Sequence, residues 1–376
     1  MVAGGFGDKV DGAPALPASS LAFPVRALDR KDPDGMLKLI DEIKPKYVVL
    51  SHDIWMFPGV AEAKLRHPDT VFVGYLTIDS GPPTPAWRGW LASYDGIVVP
   101  AEYGREQLLE RWFDIIADVV PYGVDKKFYH PPKDGKEKLK EKTYDESIRS
   151  VMTGKSLTYL DMRGKFTAAY LGMNLGRKNV LGLVEAWREF EKGKDDVALI
   201  LMAHTVALQM EEIGHYPPTE LIRGESVYYF HQPMPEDMVG SVMSFSNVLL
   251  HPSVGEGFGL PILEAMACGT VPIVTDYSAM HDLCDPTCAY MIQCVRYAPH
   301  GTLHICVPDL YDISEALETA YADWKSGLLE TKSKVAAERA LGYSWDNTAW
   351  RLKESLEKFT VIAEKRKNGI IATRIV

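Results

Sequence analysis

Residues 251–275, HPSVGEGFGLPILEAMACGTVPIVT, hold the densest grouping of residues that could do chemistry. Three glycines alternate with other residues just before a helical pattern, which has Pro261 in its first turn and Gly269 past its end. Glycine lets the backbone approach a ligand closely, and the free amides of a helix N-terminus bind phosphate. We therefore expect a phosphate to bind the amides of Gly257, Phe258, Gly259 and Leu260.

Two carboxylates flank this expected anion site. Glu256 lies in the glycine loop and Glu264 on the helix that follows, so both side chains can face one cleft. Carboxylates next to an anion are useful when they accept hydrogen bonds from hydroxyl groups, and a diphosphate between hydroxyl-bearing rings describes a nucleotide sugar. Two glutamates at this spacing are most often solvated surface charges, so it is the glycine loop between them that favours a ligand site.

The net charge sets a condition on such a site. The 376 residues include 41 Lys and Arg and 51 Asp and Glu, a net charge of −10, which repels nucleic acid and anionic lipid. An anionic substrate therefore needs a local positive pocket.

The composition, 46% hydrophobic and 24% charged, is that of a folded globular protein. The first ten residues lack the features of a signal peptide, so we expect a cytoplasmic protein, with peripheral membrane association left open.

Strand-like and helix-like segments alternate along the chain, which predicts an α/β fold of two doubly wound, Rossmann-like domains facing across a deep cleft. A highly charged stretch, 131–164, is typical of a solvated linker or insertion. We predict an N-terminal domain over 1–164, a C-terminal domain over 165–344 and a final segment, 345–376. The helix of that final segment is amphipathic, with Trp350, Leu352, Leu356 and Phe359 expected on one apolar stripe. The predicted strands are 46–50, 70–76, 96–99, 119–120, 166–171, 197–202, 227–230, 247–250 and 271–274, and the clearest helices are 34–43, 102–112, 181–191 and 345–364.

Three motifs of the sequence resemble those of retaining GT-B glycosyltransferases of family 4. They are the E-x7-E pattern in EGFGLPILE at 256–264, the segment PYGVD at 121–125 followed by Phe128, and GMNLGRKN at 172–179. The resemblance covers residues 46–365, and the final helix is similar to the one that returns to the first domain in this family. It implies a GT-B fold and transfer of a hexose, with retention of configuration, from a nucleotide diphosphate sugar linked to UDP or GDP.

The resemblance also implies roles for individual residues. Glu256 would bind the donor sugar hydroxyls and Glu264 the ribose, while Arg177 and Lys178 would hold the diphosphate and supply the positive pocket. Asn174 would lie in the same strand-end loop, and Met234 belongs to the loop expected to meet the nucleotide base. No cofactor or metal ion is expected. The acceptor, which could be a sugar, a lipid-linked glycan or a small molecule, and the oligomeric state are left open.

The sequence departs from the family pattern on the acceptor side. Relatives often have an Arg at the position of Met173 and a His at the end of a first-domain strand, where this chain has Asp79. We take Asp79 as the candidate acceptor-activating or sugar-positioning residue, with His52 as the alternative. Gly5 and Gly7 are the expected acceptor-side glycine loop, with no apolar strand of ordinary length before them.

Other functions remain open at this stage. A nucleotide-sugar epimerase and a phosphorylase use the same fold, and a binding protein could keep the nucleotide pocket without catalysis. The cysteines form a second candidate site, because four of them lie close together in the sequence near three histidines, as a zinc site or a disulfide would require. Buried thiols are the simpler interpretation. The residues concerned are Cys268, Cys284, Cys288, Cys294, Cys306, His281, His300 and His304.

Overall fold

A computed structural model describes residues 3–6, 25–28, 34–53, 59–141, 162–204, 226–230, 233–293, 296–300 and 303–369. The N-terminal half contains a four-stranded parallel sheet in the order β3-β4-β5-β6 and a separate parallel pair, β1-β2. Its strands are β1 Ala3–Phe6, β2 Val25–Leu28, β3 Tyr47–His52, β4 Val71–Leu76, β5 Gly96–Val99 and β6 Ala117–Val119. Its helices are α1 Gly35–Ile43, α2 Val60–Arg66, α3 Trp87–Leu91, α4 Glu102–Arg111 and α5 Lys136–Glu141.

The second half contains a six-stranded parallel sheet in the order β12-β11-β10-β7-β8-β9 and an antiparallel hairpin, β13-β14. Its strands are β7 Phe166–Met173, β8 Val197–His204, β9 Val227–Phe230, β10 Val248–His251, β11 Val271–Thr275, β12 Tyr290–Ile292, β13 Arg296–His300 and β14 Leu303–Val307. Its helices are α6 Val180–Phe190, α7 Glu236–Phe245, α8 Leu260–Ala267, α9 Ala279–Leu283, α10 Leu310–Ser326, α11 Leu329–Ala340 and α12 Trp345–Lys367.

Both main sheets are covered on their two faces, which explains why their strands read as continuous apolar runs. In the second half, one face of the sheet packs around Trp187, Phe190 and Phe166, which are fully buried. The other face includes Val124 and Tyr129 from the first half, so a shared core joins the two halves. The parallel order places the carboxyl ends of the strands at one edge of each sheet, where ligands bind in folds of this class.

Helix α12 packs on the N-terminal sheet. Phe359 is fully buried, and it lies directly over Gly96 of β5, where an added Cβ atom would come within 2.3 Å of its ring. The Tyr47 hydroxyl lies 3.1 Å from that of Thr360. The sequence prediction of an apolar stripe on this helix is wrong for Trp350, which is 58% exposed. Trp350 is exposed because it is rotated about 200° around the helix from Leu352, which packs against the core of the first half.

The interpretation of residues 131–164 as a solvated linker is wrong for α5. The Lys136 ammonium donates to the Ser244 carbonyl at 3.1 Å, the Ser246 carbonyl at 2.6 Å and the Thr270 hydroxyl at 2.9 Å. Lys140 is fully buried, one turn further along the helix. The apolar stems of these side chains pack inside while their ammonium groups find acceptors, an arrangement that leaves no apolar periodicity in the sequence.

The expectation of a glycine loop at the start is also wrong for residues 4–6. Gly4, Gly5 and Phe6 lie in strand β1, paired in parallel with residues 26–28 of β2. This short strand is explained by backbone pairing with β2, which does not depend on apolar side chains. Gly7 lies outside the described residues.

Candidate functional site

Arg177 and Lys178 are placed at the carboxyl edge of the second sheet by a short turn. Strand β7 ends at Met173, and a 3-10 turn over Gly176–Lys178 follows before α6 begins. The Arg177 carbonyl accepts from the Val254 amide at 3.0 Å, which ties this turn to the loop after β10. The two basic side chains predicted to hold a diphosphate therefore lie beside the glycine loop.

Glu256 is the centre of the cluster. Its carboxylate is 6% exposed and accepts from the Lys178 ammonium at 2.5 Å and from the Arg177 guanidinium at 3.2 Å. A third partner is His251, whose Nε2 lies 2.9 Å from Glu256 Oε1. Burial would raise the pKa of Glu256, but the charge of Lys178, followed by the contact with His251 and the charge of Arg177, holds that pKa well below its ordinary value. Glu256 is therefore a charged carboxylate at neutral pH.

Asp79 joins the cluster from the N-terminal half. Its carboxylate lies 3.2 Å from Arg177 Nε and accepts from the Ser80 hydroxyl at 2.8 Å. Asp79 and Arg177 are about one third exposed, 34% and 37%, so both can meet a ligand. The structure thus brings four of the predicted site residues together at the boundary between the two halves of the chain.

The glycine loop meets the other half of the chain at close range. A Cβ atom at Gly255 would lie 2.3 Å from the Asp79 carbonyl oxygen, and one at Gly257 would lie 2.6 Å from Thr77 Cβ. Contacts this short exclude any side chain at either position without a shift of the backbone. These two glycines therefore let the segment after β4 pack against the loop. The sequence prediction had explained the glycines only by the close approach of a ligand.

Helix α8 begins at Leu260, and its N-cap, Gly259, has a left-handed conformation with φ 93°. Within the described part of the chain, the amides of residues 257–260 have no hydrogen-bond acceptor. Such amides, together with the helix dipole, suit an anion. The Phe258 side chain is only 4% exposed and packs edge-on against Tyr122, with ring centroids 5.2 Å apart.

Glu264 lies further along α8 in a separate environment. Burial, followed by the nearby charge of Glu236, raises its pKa to about 7, and a hydrogen bond with Tyr129 offsets this rise in part. Among the described residues it forms no ion pair with Arg177 or Lys178. The two glutamates of the motif thus differ in charge state: Glu256 is held ionised, whereas Glu264 titrates near neutral pH.

The remaining predicted residues contribute less to the cluster. Asn174 is fully buried behind the turn, and Met234 is partly buried against the core of the second half. Met173, which replaces an expected Arg, is 37% exposed at the end of β7. His52 ends β3 and pairs with Leu76 in the register of the sheet, but its side chain lies outside the described residues.

Sequence reasoning missed two residues that contact Glu256. His251 is fully buried and stacks on Tyr170. Ser278 has φ 52° and ψ −145°, an unusual conformation for a residue with a side chain, and its hydroxyl accepts from the Glu256 amide at 2.9 Å. His251 begins the segment 251–275 but received no role in the sequence analysis, and Ser278 lies outside that segment. The position of His251 at the end of a predicted strand, five residues before Glu256, was the available signal.

The cysteines do not form a metal site within the described residues, which contain no group of three or more potential metal ligands. Cys268, Cys284 and Cys288 are buried free thiols, and Cys306 is disulfide-bonded. Cys294 lies outside the described residues. Among the described residues, none of the helices combines the length and hydropathy that crossing a bilayer requires.

Residues 165–318 match the family model for glycosyl transferases group 1. Over 127 residues the chain is 32% identical to the D-inositol 3-phosphate glycosyltransferase of Kribbella flavida. The matched region covers 33% of this chain and 26% of that protein. Over 180 residues it is 24% identical to the serotype-specific mannosyltransferase WbdA of Escherichia coli, covering 48% of this chain and 20% of the relative. The chain thus spans no more than about a quarter of the length of these curated relatives.

Solved structures extend the likeness to nearly the whole chain. Anabaena HepE, solved in complex with UDP-glucose, matches with a TM-score of 0.72 and 13% identity over 95% of this chain and 91% of that one. The sucrose-phosphate synthase of Thermosynechococcus elongatus matches with a TM-score of 0.63 and 16% identity over 89% and 80%. Residues 165–318 are therefore similar to the glycosyl transferases group 1 family, and the chain as a whole has the GT-B fold that its motifs predicted.

Proposed function

We propose that this protein is a glycosyltransferase that moves a hexose from a nucleotide diphosphate sugar to a hydroxyl-bearing acceptor. The observation that carries the proposal is the contact cluster of Arg177, Lys178 and Glu256, which places two cations and an ionised carboxylate beside the N-terminus of α8. Cations and free amides suit a diphosphate, and a carboxylate suits sugar hydroxyls. The UDP-glucose held by HepE, which shares the fold, supports UDP-glucose as the first donor to test.

The chemistry follows from the leaving group. Breaking the bond between the sugar and the diphosphate leaves negative charge on the phosphate oxygens, and fixed positive groups stabilise that charge as it develops. Among the residues that the structure describes, Arg177 contacts Asp79, Glu256 and the Gly255 carbonyl through Nε and Nη1, which leaves Nη2 for a ligand. Together with Lys178 and the α8 amides, it provides this stabilisation from protein groups, so our proposal requires no metal ion.

The stereochemical part of the proposal is retention of configuration, with Asp79 acting on the acceptor side. Glu256 is engaged by three donors and buried, which makes it a poor nucleophile and a good holder of sugar hydroxyls. Asp79 is more exposed and approaches from the opposite half of the chain. We assign it to positioning the reacting hydroxyl, and Glu264 to the ribose.

The decisive experiment compares two variants with purified protein and a panel of UDP- and GDP-sugars. In Arg177→Met/Lys178→Met we expect donor turnover to fall at least 100-fold, because charge-assisted phosphate contacts contribute about 1.5–3 kcal/mol each. The matched control is Arg188→Met, an exposed cation on α6, which should keep wild-type turnover. Release of nucleoside diphosphate is the readout. Equal turnover in both variants, or conversion of the donor to an epimer without acceptor, contradicts the proposal.

A further inference from the structure

His251 is placed so that its only described polar contact is Glu256. The imidazole is fully buried at the end of β10, with Nε2 2.9 Å from Glu256 Oε1. Its ring stacks on Tyr170, with centroids 5.7 Å apart and 18° between the planes. Nδ1 is buried and has no hydrogen-bond partner in the described part of the chain. This geometry fixes the tautomer: a carboxylate only accepts, so Nε2 carries the proton and Nδ1 is bare.

The groups around His251 favour the neutral ring. Burial lowers its pKa, and the cations Lys178 and Arg177 lower it further, against the opposing effect of Glu256. The adjacent strand β7 contributes the Tyr170 ring, and β11 contributes Val274 in register. A neutral imidazole adds a hydrogen bond to Glu256 without adding positive charge to the diphosphate pocket.

The three donors to Glu256 differ in what else they can do. Arg177 is 37% exposed and Lys178 12%, so both can also contact a ligand, whereas His251 is fully buried and cannot. Any diphosphate that attracts the two cations weakens their hold on Glu256. The contact from His251 is unaffected by such a ligand.

We infer that His251 is a positioning residue, which holds the Glu256 carboxylate ionised and fixed in orientation while Arg177 and Lys178 serve the donor diphosphate. This inference rests on the proposed function for its kinetic consequences, but its structural content, a permanent Nε2–H donor to Glu256, can be tested without any activity. Positioning by a buried group of this kind keeps the reacting geometry within narrow limits.

Two substitutions separate the hydrogen bond from packing. His251→Phe keeps an aromatic ring for stacking on Tyr170 but removes the donor, whereas His251→Gln places an amide N–H near the position of Nε2. We expect His251→Phe to lower kcat by about 10- to 100-fold, the range for one hydrogen bond to a charged group, with the UDP dissociation constant changed less than about threefold. His251→Gln should recover most of kcat.

The pH profile distinguishes positioning from a merely structural role. The contact with His251 helps to lower the pKa of Glu256, so its loss in His251→Phe should move the acid limb of the kcat profile to higher pH. His251→Gln should keep the wild-type limb. Unchanged kcat and acid limb in His251→Phe, or equal loss in both variants at unchanged melting temperature, overturns the inference.

A spectroscopic measurement tests the same contact independently of turnover. Long-range proton–nitrogen spectra of protein labelled at histidine, with His251 assigned by its absence in His251→Gln, should show the neutral Nε2–H tautomer from about pH 6 to 8. An imidazolium or an Nδ1–H tautomer at pH 7 overturns the inference. If wild type turns over no donor while this tautomer is observed, the proposed function fails and the contact stands.

Discussion

The Arg177 guanidinium and the Asp79 carboxylate lie 3.2 Å apart, although they come from different halves of the chain. Arg177 also contacts Glu256 at 3.2 Å. One cation therefore links a carboxylate of the N-terminal half to a carboxylate of the C-terminal half. In the proposed reaction, this arrangement places the leaving diphosphate, the sugar and the incoming hydroxyl around a single guanidinium group.

The first prediction concerns Asp79. Asp79→Asn should lower kcat by about 100-fold, because the amide cannot accept a proton or orient the hydroxyl as a carboxylate does. The UDP dissociation constant should change little, since a pair that is one third exposed contributes at most about 1 kcal/mol. Steady-state kinetics and calorimetry measure the two quantities, with Asp134→Asn on the exposed surface as control. Wild-type kcat in Asp79→Asn would remove Asp79 from the reaction.

A second prediction separates the two motif glutamates. Glu256→Ala should reduce turnover far more than nucleotide affinity, whereas Glu264→Ala should weaken UDP binding through loss of ribose contacts. The difference follows from their surroundings, because Glu256 is held beside the cations and Glu264 lies near Tyr129. Calorimetric titration with UDP and turnover assays on both variants provide the check. Identical effects in the two variants would contradict the separate assignments.

Glu264 also predicts a pH dependence. Its pKa is raised to about 7, mainly by burial, so it is mostly protonated below that pH and charged above it. A charged carboxylate accepts two ribose hydrogen bonds, so UDP-glucose affinity should increase by up to about tenfold from about pH 6 to 8. Glu264→Gln does not titrate and should show a flat profile. A wild-type profile that is flat or falls with pH argues against the ribose role.

The contact between the glycine loop and Thr77 predicts a coupled pair of mutations. Gly257→Ala places Cβ 2.6 Å from Thr77 Cβ, which forces the two segments apart and should lower turnover about tenfold or more. Adding Thr77→Gly removes the colliding atom and should restore activity relative to the single Gly257→Ala variant. Gly89→Ala, where an added Cβ meets nothing within 4 Å, is the control. Additive rather than compensating effects in the double mutant would contradict this contact.

The buried lysines of α5 predict a stability effect. Lys136→Met removes a donor from three buried acceptors, so the free energy of unfolding should fall by ~2 kcal/mol. Lys133→Met, on the exposed side of the same segment, should change it by less than about 0.5 kcal/mol. Urea denaturation of both variants measures the difference. A Lys136→Met variant as stable as wild type would show that the hydrogen bonds of Lys136 to residues 244, 246 and 270 do not stabilise the fold.

Apolar runs were sufficient to predict most of the two sheets, because strands buried on both faces need such residues. The run at 197–202 and the run at 227–230 both correspond to observed strands. Lys136 and Lys140 were misread because burial of a charged side chain depends on acceptors that lie more than 100 positions away in the sequence, such as Ser244 for Lys136. The residues near a lysine in the sequence do not indicate whether such distant acceptors exist.

The candidate site was predicted to a similar extent. Glu256, Arg177 and Lys178 could be found because glycines, helix punctuation and the family resemblance mark them, and the structure places them in contact. His251 and Ser278 were missed, since their roles depend on a side-chain orientation and a backbone angle that residue type does not encode. Contacts of this kind become visible only when strand ends are assembled in three dimensions.

The most direct measurement is a crystal structure of the protein grown with UDP-glucose. We expect diphosphate oxygens within about 3.2 Å of the Arg177 guanidinium, the Lys178 ammonium and an amide at the start of α8. We also expect the Glu256 carboxylate to face the hexose hydroxyls. A nucleotide bound elsewhere, with the amides of residues 257–260 and both cations untouched by phosphate, would contradict the central claim.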